Sequence, residues 1–386
     1  MPHLATNAEQ MPRSGIRRIM DLAWSLDQPV IGLHVGEPSF QTPDHVRKAA
    51  QDALERGETR YVPNAGIAPL RNAITEKVAR HNSIIATPEQ VVVSAGGMQA
   101  LYVALSATVQ AGDEVLIPDP GWPNFAMAVQ LLQGTPVRYT LRPENSFLPD
   151  VTELDRLVTE RTKAIIVNSP SNPLGAVLTA ELAAKLCRLA DAHDLWLISD
   201  ECYDAITFGV PHISPAAYDE QQRVISCFSF SKTYAMTGLR VGYLVAPEEA
   251  AATAAKMQEP LIACVNAPAQ YAALAALEGP QEVVEVMRHT YQQRRDAATQ
   301  VLRDSGTGFL MPDGAFYLWI DVWDRCRGDV EEWALQLLRE QHVAVAPGTT
   351  FGPMGQGWVR VSLATDTNEL LEGLRRIAVQ TGLAHK

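Results

Sequence analysis

Residues 224–243 of this 386-residue chain read VISCFSFSKTYAMTGLRVGY. The first five residues form a short apolar run, which is typical of a strand buried on both faces of a sheet. Lys232 follows that run between small hydroxyl residues, and Arg240 comes eight positions later. At the end of a buried strand a lysine is partly dehydrated, and its amine can act as a nucleophile toward carbonyl groups. The segment therefore predicts a buried strand followed by a reactive lysine.

Other short apolar runs occur between about residue 90 and residue 250. They are residues 91–93, 114–117, 164–167, 195–198 and 241–245. Helical patterns separate them, for example at 98–110 and at 179–193, where Thr179 is a candidate N-terminal cap. Strands that alternate with helices are the signature of βα units in a mainly parallel sheet. The fold class is therefore predicted to be α/β.

The last hundred residues have a different pattern, which predicts a small α+β unit. A long helix is predicted over 281–304, followed by strands at 316–320, 343–345 and 358–362 and by helices at 330–341 and 367–380. We expect an N-terminal arm with part of the small domain at 1–45, a large domain at 46–285 and a small C-terminal domain at 286–386.

Composition excludes several classes of function. A net charge of −12 argues against nucleic-acid partners, which need a basic face. The five cysteines lie far apart without a CxxC pattern, so neither a metal site nor a disulfide framework is expected. No apolar stretch approaches the roughly 18 residues of a membrane span. The first ten residues lack the pattern of a signal peptide, so a cytoplasmic location is expected.

Chemistry-bearing residues follow the ends of the predicted strands, where ligands bind in open α/β sheets. Gly96 and Gly97 open a helix and could hold a phosphate on backbone N–H groups. Asn172 lies in a turn between prolines. Asp200 ends a buried strand, a position that is costly for a carboxylate unless a cation meets it. With Lys232, four strand ends present a phosphate cradle, an amide, a carboxylate and an amine.

This combination resembles the class I/II aminotransferase family of fold-type I pyridoxal phosphate (PLP) enzymes, the aspartate aminotransferase-like superfamily. The specific signature is Ser-x-Ser-Lys at 229–232 followed by Gly-x-Arg-x-Gly at 238–242, and motif matches run from Gly36 to Arg360. The resemblance implies a seven-stranded, mainly parallel sheet flanked by helices, with a smaller α+β domain. It also implies a homodimer with shared active sites, and transfer of an amino group from an L-amino acid to a 2-oxo acid through pyridoxamine phosphate.

The resemblance also implies roles for individual residues around the cofactor ring. Lys232 would form the Schiff base with PLP and carry the substrate proton. Asp200 would keep the pyridine nitrogen protonated, which makes the ring a better electron sink. Asn172 and Tyr203 match the family's donors to the phenolic oxygen, and Trp122 matches an aromatic residue stacked on the ring.

Further residues match the family's phosphate and substrate contacts. The phosphate would be held by Gly96, Gly97, Met98, Ser229, Ser231 and Arg240. Tyr61 matches a tyrosine that reaches the phosphate of the neighbouring subunit. Arg360 matches the arginine that grips the substrate α-carboxylate, and Gly36 matches a turn that lines the substrate pocket, to which Trp122 and Asn172 also contribute.

Departures from the family pattern bear on the substrate. Met98 stands where some relatives that prefer dicarboxylates carry a lysine, and no second arginine for a distal carboxylate is evident. A neutral or aromatic side chain is therefore favoured over aspartate. The segment Ile16-Arg17-Arg18-Ile19 is a candidate contributor to the pocket, although Arg17 and Arg18 are expected on a solvated face.

Three alternatives stay open at this point. A PLP-dependent C–S lyase or an aminocyclopropane-carboxylate-forming enzyme would share the lysine, the aspartate and the arginine. A non-catalytic PLP-binding regulator would need a basic DNA-binding unit, which the acidic chain does not show. A nicotinamide-dependent dehydrogenase would need GxGxxG after its first strand, and Gly96-Gly97-Met98-Gln99 lacks that pattern.

Overall fold

The apolar runs of the sequence form strands in the computed structural model, which describes residues 3–9, 11–12 and 15–380. Within these residues the strands in chain order are β1 (Ile31–Gly32), β2 (Val91–Ser94), β3 (Glu114–Asp119), β4 (Thr135–Thr140), β5 (Thr162–Asn168), β6 (Trp196–Asp200), β7 (Val224–Ser229), β8 (Gly242–Val245), β9 (Phe309–Leu310), β10 (Tyr317–Asp321), β11 (Val343–Ala344), β12 (Ala346–Pro347) and β13 (Trp358–Ser362).

The α-helices connect these strands and cover them. In the same described residues they are α1 (Thr6–Glu9), α2 (Gly15–Ser25), α3 (Asp44–Glu55), α4 (Ala68–Asn82), α5 (Gly97–Thr108), α6 (Asn124–Leu131), α7 (Val151–Leu157), α8 (Ala180–Ala192), α9 (Phe230–Thr233), α10 (Glu248–Ile262), α11 (Ala267–Glu278), α12 (Glu282–Asp304), α13 (Trp323–Cys326), α14 (Val330–Gln341) and α15 (Thr367–Val379). None of the helices formed by these residues has the length and apolar character of a bilayer-spanning helix.

The large sheet has seven strands in the order β2-β8-β7-β6-β5-β3-β4. Its neighbouring strands are parallel except for β8, which is antiparallel to both β2 and β7. This order confirms the predicted α/β class with a mainly parallel seven-stranded sheet. Because β5, β6 and β7 run in the same direction, the residues that follow them meet at one edge of the sheet.

Most predicted elements are confirmed, and the exceptions have physical reasons. The Thr179 hydroxyl accepts a hydrogen bond from the Leu182 N–H at 3.2 Å and caps α8, as predicted. Strand β4 is absent from the apolar runs because it is an edge strand with polar, partly exposed residues. Helices α10 and α11 are alanine-rich, and α10 contains Pro260, so neither gives a clear helical pattern in the sequence.

Both faces of the large sheet are buried, which explains why its strands read as continuous apolar runs. Ile166 is fully buried in a cluster with residues of α5 and α6, whereas its neighbour Ile165 is fully buried in a different cluster with residues of α8. Successive side chains of a strand point to opposite faces, so these two clusters lie on opposite sides of the sheet.

A second core unites both ends of the chain in the small unit. Its antiparallel sheet has the order β12-β13-β10-β9, and β1 pairs with β11 in parallel. Ile19 of α2 and Leu33 near β1 share one apolar cluster with Trp333 and Leu374. The N-terminal segment therefore packs with the C-terminal elements. The boundary expected at 285/286 falls inside the continuous helix α12, and the domain limits stay a prediction.

Truncation of neighbouring strand residues tests burial of the sheet on both faces. Ile165→Ala and Ile166→Ala should each lower the free energy of unfolding by roughly 2–5 kcal/mol, the usual cost of removing a buried isoleucine side chain. Chemical denaturation of the two variants measures this loss. Ile85→Ala, at a side chain that is 89% exposed, is the control and should change stability little. A small effect at either core position would contradict a sheet covered on both sides.

Candidate active site

A cavity of about 280 Å³ lies at the carboxyl ends of β5, β6 and β7. Its lining includes most of the residues that the sequence predicted for the site. These are Gly36, Gly97, Met98, Trp122, Asn172, Asp200, Tyr203, Ser229, Ser231, Lys232, Arg240 and Arg360. Gly96 precedes the lining residue Gly97 and contacts Arg240. Of the predicted site residues, Tyr61 lies elsewhere.

Lys232 lies in the short helix α9, directly after β7. The Ser229 hydroxyl caps this helix by accepting a hydrogen bond from the Ser231 N–H at 3.2 Å. The Lys232 ammonium donates to the carbonyl of Gly36 at 2.6 Å. Burial lowers the pKa of Lys232 to about 8, and the positive charges of Arg360 and Arg240 act in the same direction. Part of this amine is therefore uncharged at neutral to slightly alkaline pH, the form that attacks carbonyl carbon.

Asp200 is the last residue of β6, and its side chain is buried. The Cys202 N–H donates to its carboxyl oxygen Oδ1 at 3.1 Å. Burial raises the pKa of Asp200 to about 6, against the hydrogen bonds from Cys202. Among the described residues, no lysine or arginine forms an ion pair with this carboxyl. The site therefore contains a dehydrated acid, and a cationic group of a ligand would stabilise its ionised form.

The turn from β2 into α5 has the features of an anion site. Gly96 has a φ of +84°, a backbone conformation that favours glycine, and a β-carbon at this position would lie 2.4 Å from a guanidinium nitrogen of Arg240. Arg240 donates to the carbonyls of Thr237 at 2.9 Å and Ala95 at 3.2 Å, which hold it against the start of the helix. A helix N-terminus beside a guanidinium attracts phosphate or carboxylate.

Arg360 reaches the cavity from β13 of the small unit. Its guanidinium donates to the side-chain oxygen of Asn172 at 2.9 Å and to the carbonyl of His34 at 2.5 Å. The Tyr317 ring lies below it, with 4.3 Å from the guanidinium carbon to the ring centre. Its Nε is buried without a hydrogen-bond partner, and no carboxylate of the described residues pairs with it. A buried guanidinium in this state is suited to bind an anionic group.

Several lining residues were missed by sequence reasoning, and Tyr317 is the most informative of them. Its hydroxyl lies 2.8 Å from the Tyr203 hydroxyl, and a β-carbon on Gly36 would come within 2.0 Å of it. The sequence places Tyr317 in an apolar run, so it reads as a core residue. One feature of the sequence could have indicated a role in the site: a buried tyrosine hydroxyl usually needs a hydrogen-bond partner, which an apolar core does not provide.

The other missed residues come from the N-terminal segment and from the turn after β6. Met20 of α2, His34, Val35 and Cys202 line the cavity and were missed. Ile16 of α2 also lines it and belongs to the segment that the sequence indicated as a candidate contributor. Burial lowers the pKa of His34 to about 4, with Arg360 acting in the same direction, so its imidazole is neutral near pH 7. The sequence indicated the 16–19 segment only as a candidate contributor, because a position on α2 carries no local signal of what it faces.

Arg17 and Arg18 do not line this cavity. Both side chains are exposed and border a separate cleft of about 590 Å³ between α2, α6 and residues 349–353. Arg18 pairs with Glu331 at 3.2 Å, and Arg17 lies over the Trp24 ring at 5.9 Å. The expectation of a solvated face is confirmed.

Tyr61 lies between α3 and α4, and its side chain is 88% exposed. It is outside the cavity of its own chain. Its contact with a neighbouring subunit stays a prediction.

Comparison with known proteins agrees with this geometry. Residues 28–377 match the family model for class I and II aminotransferases. The chain is 39% identical to a probable aspartate/prephenate aminotransferase of Aquifex aeolicus, with 90% of each chain covered. It is 38% identical to aromatic-amino-acid aminotransferase 2 of Thermococcus litoralis, with 97% of each covered.

A solved structure shows the same fold. A single mutant of the Thermus thermophilus aspartate aminotransferase superposes with a TM-score of 0.93 at 37% identity, covering 98% of this chain and 99% of the other. Family match, sequence identity and fold agree over nearly the whole length of the chain. The chain therefore belongs to the family of class I and II aminotransferases.

Proposed function

We propose that this aminotransferase uses PLP to move the amino group of an L-amino acid with a neutral or aromatic side chain to a 2-oxo acid. One observation carries the proposal: Lys232, Asp200 and the anion site at the start of α5 all border one cavity. An amine, a buried acid and an anion site are the three groups that PLP requires, because it carries an aldehyde, a basic ring nitrogen and a phosphate.

The residues present fit this cofactor. The phosphate would be held by the start of α5 at Gly96, Gly97 and Met98, with Ser229, Ser231 and Arg240. Asp200 would face the ring nitrogen, and a protonated nitrogen would offset the cost of burying its carboxylate. Asn172 and Tyr203 would donate to the phenolic oxygen, and Trp122 would cover the ring face.

When bound, PLP supplies an electron sink for the electron pair left at the substrate α-carbon. Lys232 holds the cofactor and then carries the proton removed from that carbon on its Nζ. Its pKa of about 8 suits this task, since a general base works best when its pKa lies near the working pH. Gly36 accepts from the Lys232 amine and keeps it directed into the cavity.

Arg360 binds and orients the substrate. Its guanidinium would take the α-carboxylate, while Tyr317 and Asn172 hold the guanidinium plane in place. Because Arg360 comes from the small unit and Lys232 from the large sheet, substrate binding would draw the two together and exclude water.

The proposal includes a homodimer with shared active sites. Tyr61 lies outside its own cavity and is almost fully exposed, as a residue that serves the site of a second copy would be. Its hydroxyl would bind the phosphate held by that copy.

The cavity wall supports a neutral or aromatic substrate side chain. Its apolar lining is formed by Ile16, Met20, Val35, Met98 and Trp122. Among the described lining residues the cations are Lys232, Arg240 and Arg360, all of which have other roles in the proposal. Aspartate is the second candidate donor, because a relative of Cereibacter sphaeroides named aspartate/prephenate aminotransferase is 41% identical to the chain.

Replacement of the lysine tests the function directly. With an L-amino acid alone, the wild-type holoenzyme should change its visible absorption, and an added 2-oxo acid should restore it. Lys232→Ala should lose the visible band of covalently held PLP and lower turnover by roughly 10²–10⁴-fold or more. Lys163→Ala, at an exposed lysine of β5, should behave like wild type. Release of ammonia and a 2-oxo acid without amino transfer would instead favour a lyase.

Replacement of the arginine separates substrate binding from cofactor binding. Arg360→Lys should lower kcat/KM for the amino acid by about tenfold or more, because a hydrogen bond to a charged group is worth roughly 1.5–3 kcal/mol. The dissociation constant of PLP should stay unchanged. Steady-state kinetics and equilibrium dialysis measure the two quantities, and an equal loss of PLP affinity would contradict the assignment.

A charge added to the apolar wall tests the substrate class. Wild type should prefer phenylalanine to aspartate in kcat/KM. Met98→Lys should shift that ratio toward aspartate by about tenfold, the worth of one charge-assisted hydrogen bond of roughly 1.5 kcal/mol. Met311→Lys, at an exposed methionine outside the cavity, is the matched control and should leave the ratio unchanged. A wild type that prefers aspartate would establish the second candidate.

A further inference from the structure

The turn that follows β6 has two chemically different sides. Asp200, Cys202 and Tyr203 line the active-site cavity. The side chains of Glu201 and Asp204 instead contact buried polar groups outside the cavity lining. The carboxylates of these two residues have no role in the function proposed above. Their partners indicate what they do.

Glu201 is fully buried and has two side-chain partners. The Ser214 hydroxyl donates to its Oε1 at 2.9 Å, and His212 Nε2 lies 2.8 Å from its Oε2. The Glu201 backbone N–H donates to the carbonyl of Cys227 in β7 at 2.8 Å. The residue directly after Asp200 is therefore fixed by its backbone to the neighbouring strand and by its carboxylate to the segment 212–214.

Asp204 anchors the other end of the turn to α4. Its carboxylate pairs with the Lys77 ammonium and accepts from the Asn82 amide at 3.1 Å. The ammonium lies 4.5 Å from the centre of the Phe228 ring. Burial opposes ionisation of Asp204, but Lys77, His212 and the hydrogen bonds together hold its pKa below its usual range.

A gain in stability alone does not explain why two acids are buried on the side of this turn that faces away from the cavity. Removing charges from water costs several kcal/mol per ion, so buried pairs often contribute little net stability. Their geometry, however, is strict, because each carboxylate must face its partners. Backbone hydrogen bonds within the turn also fix the residues that face the cavity. The Asp204 N–H donates to the Glu201 carbonyl at 3.1 Å, and the Ile206 N–H donates to the Tyr203 carbonyl at 2.8 Å.

We propose that Glu201 and Asp204 are positioning residues, which set where the Asp200 carboxyl and the Tyr203 hydroxyl stand in the active site. The inference rests on the proposed PLP function, in which these two groups face the ring nitrogen and the phenolic oxygen. Small displacements matter there, because misplacing a reacting group by about 1 Å can cost on the order of 10²-fold in rate. Neither side chain lines the cavity in which cofactor and substrate would bind.

The chain offers a matched control at the opposite end of the sheet. Glu114, the first residue of β3, is also buried and is held by a hydroxyl and a cation. The Thr159 hydroxyl donates to its carboxylate at 2.6 Å, and Arg161 pairs with it. Glu114→Gln therefore removes a buried carboxylate, whose cationic partner is exposed, at the amino end of a strand and away from the carboxyl ends where the cavity lies.

The experiment compares Glu201→Gln and Asp204→Asn with Glu114→Gln. Three quantities are measured for each variant: thermal stability, the dissociation constant of PLP on the apoprotein, and the pH titration of the visible band of bound PLP. All three variants should lose stability. Only Glu201→Gln and Asp204→Asn should weaken PLP binding, by about tenfold or roughly 1.4 kcal/mol, and shift the titration. The control should match wild type in both.

A purely structural role would give a different result. The inference is overturned if the two variants lose stability as the control does, yet bind PLP with the wild-type affinity and titration. Wild type that fails to bind PLP would instead refute the proposed function. Should either variant fail to fold, Ser214→Ala removes one hydrogen bond to Glu201 without leaving an unpaired charge. It should shift the titration in the same direction as Glu201→Gln, and a wild-type titration in Ser214→Ala would count against the inference.

Discussion

Burial of the large sheet on both faces decides where chemistry can occur in this protein. Within β5, β6 and β7 the side chains pack against helices on either side, so a polar group can meet a ligand only at or beyond the last strand residue. Because these strands are parallel, their last residues lie at one edge. Asp200 and Lys232 border the same cavity for this reason, although 32 positions separate them in the chain. The active site is thus a consequence of strand direction.

The same burial prepares the charged groups for a ligand. It lowers the pKa of Lys232, raises that of Asp200 and lowers that of Arg360, so each group is shifted toward its neutral form. A ligand that places a carbonyl at Lys232, a cation at Asp200 and a carboxylate at Arg360 would offset part of the free-energy cost of burying these groups. This complementarity explains why buried groups suit aminotransferase chemistry better than the same groups would in a solvated site.

Residues at strand ends could be predicted from the sequence because the evidence for them is local. An apolar run followed by Lys232, or by Asp200, is visible in a few adjacent letters. Tyr317 and His34 could not be found in this way, because their importance comes from contacts with Arg360, which is distant from both in the chain. The role of Glu201, on the buried side of the turn that faces away from the cavity, was missed for the same reason. Local pattern identifies the strand end, whereas tertiary packing decides which side of the turn faces the cavity.

The N-terminal segment after β1 joins Arg360, the proposed substrate-binding residue, to Lys232, the proposed catalytic lysine. The His34 carbonyl accepts from Arg360, and the Gly36 carbonyl accepts from Lys232. Pairing of β1 with β11 and a hydrogen bond from Leu33 N–H to the Ala344 carbonyl hold this segment to the small unit. In the proposed closure, a movement of the small unit would carry this segment with it and so displace both carbonyls. The carbonyl that accepts from the Lys232 amine lies two residues from the one that accepts from Arg360, so the proposed closure of the cavity would also affect the orientation of that amine.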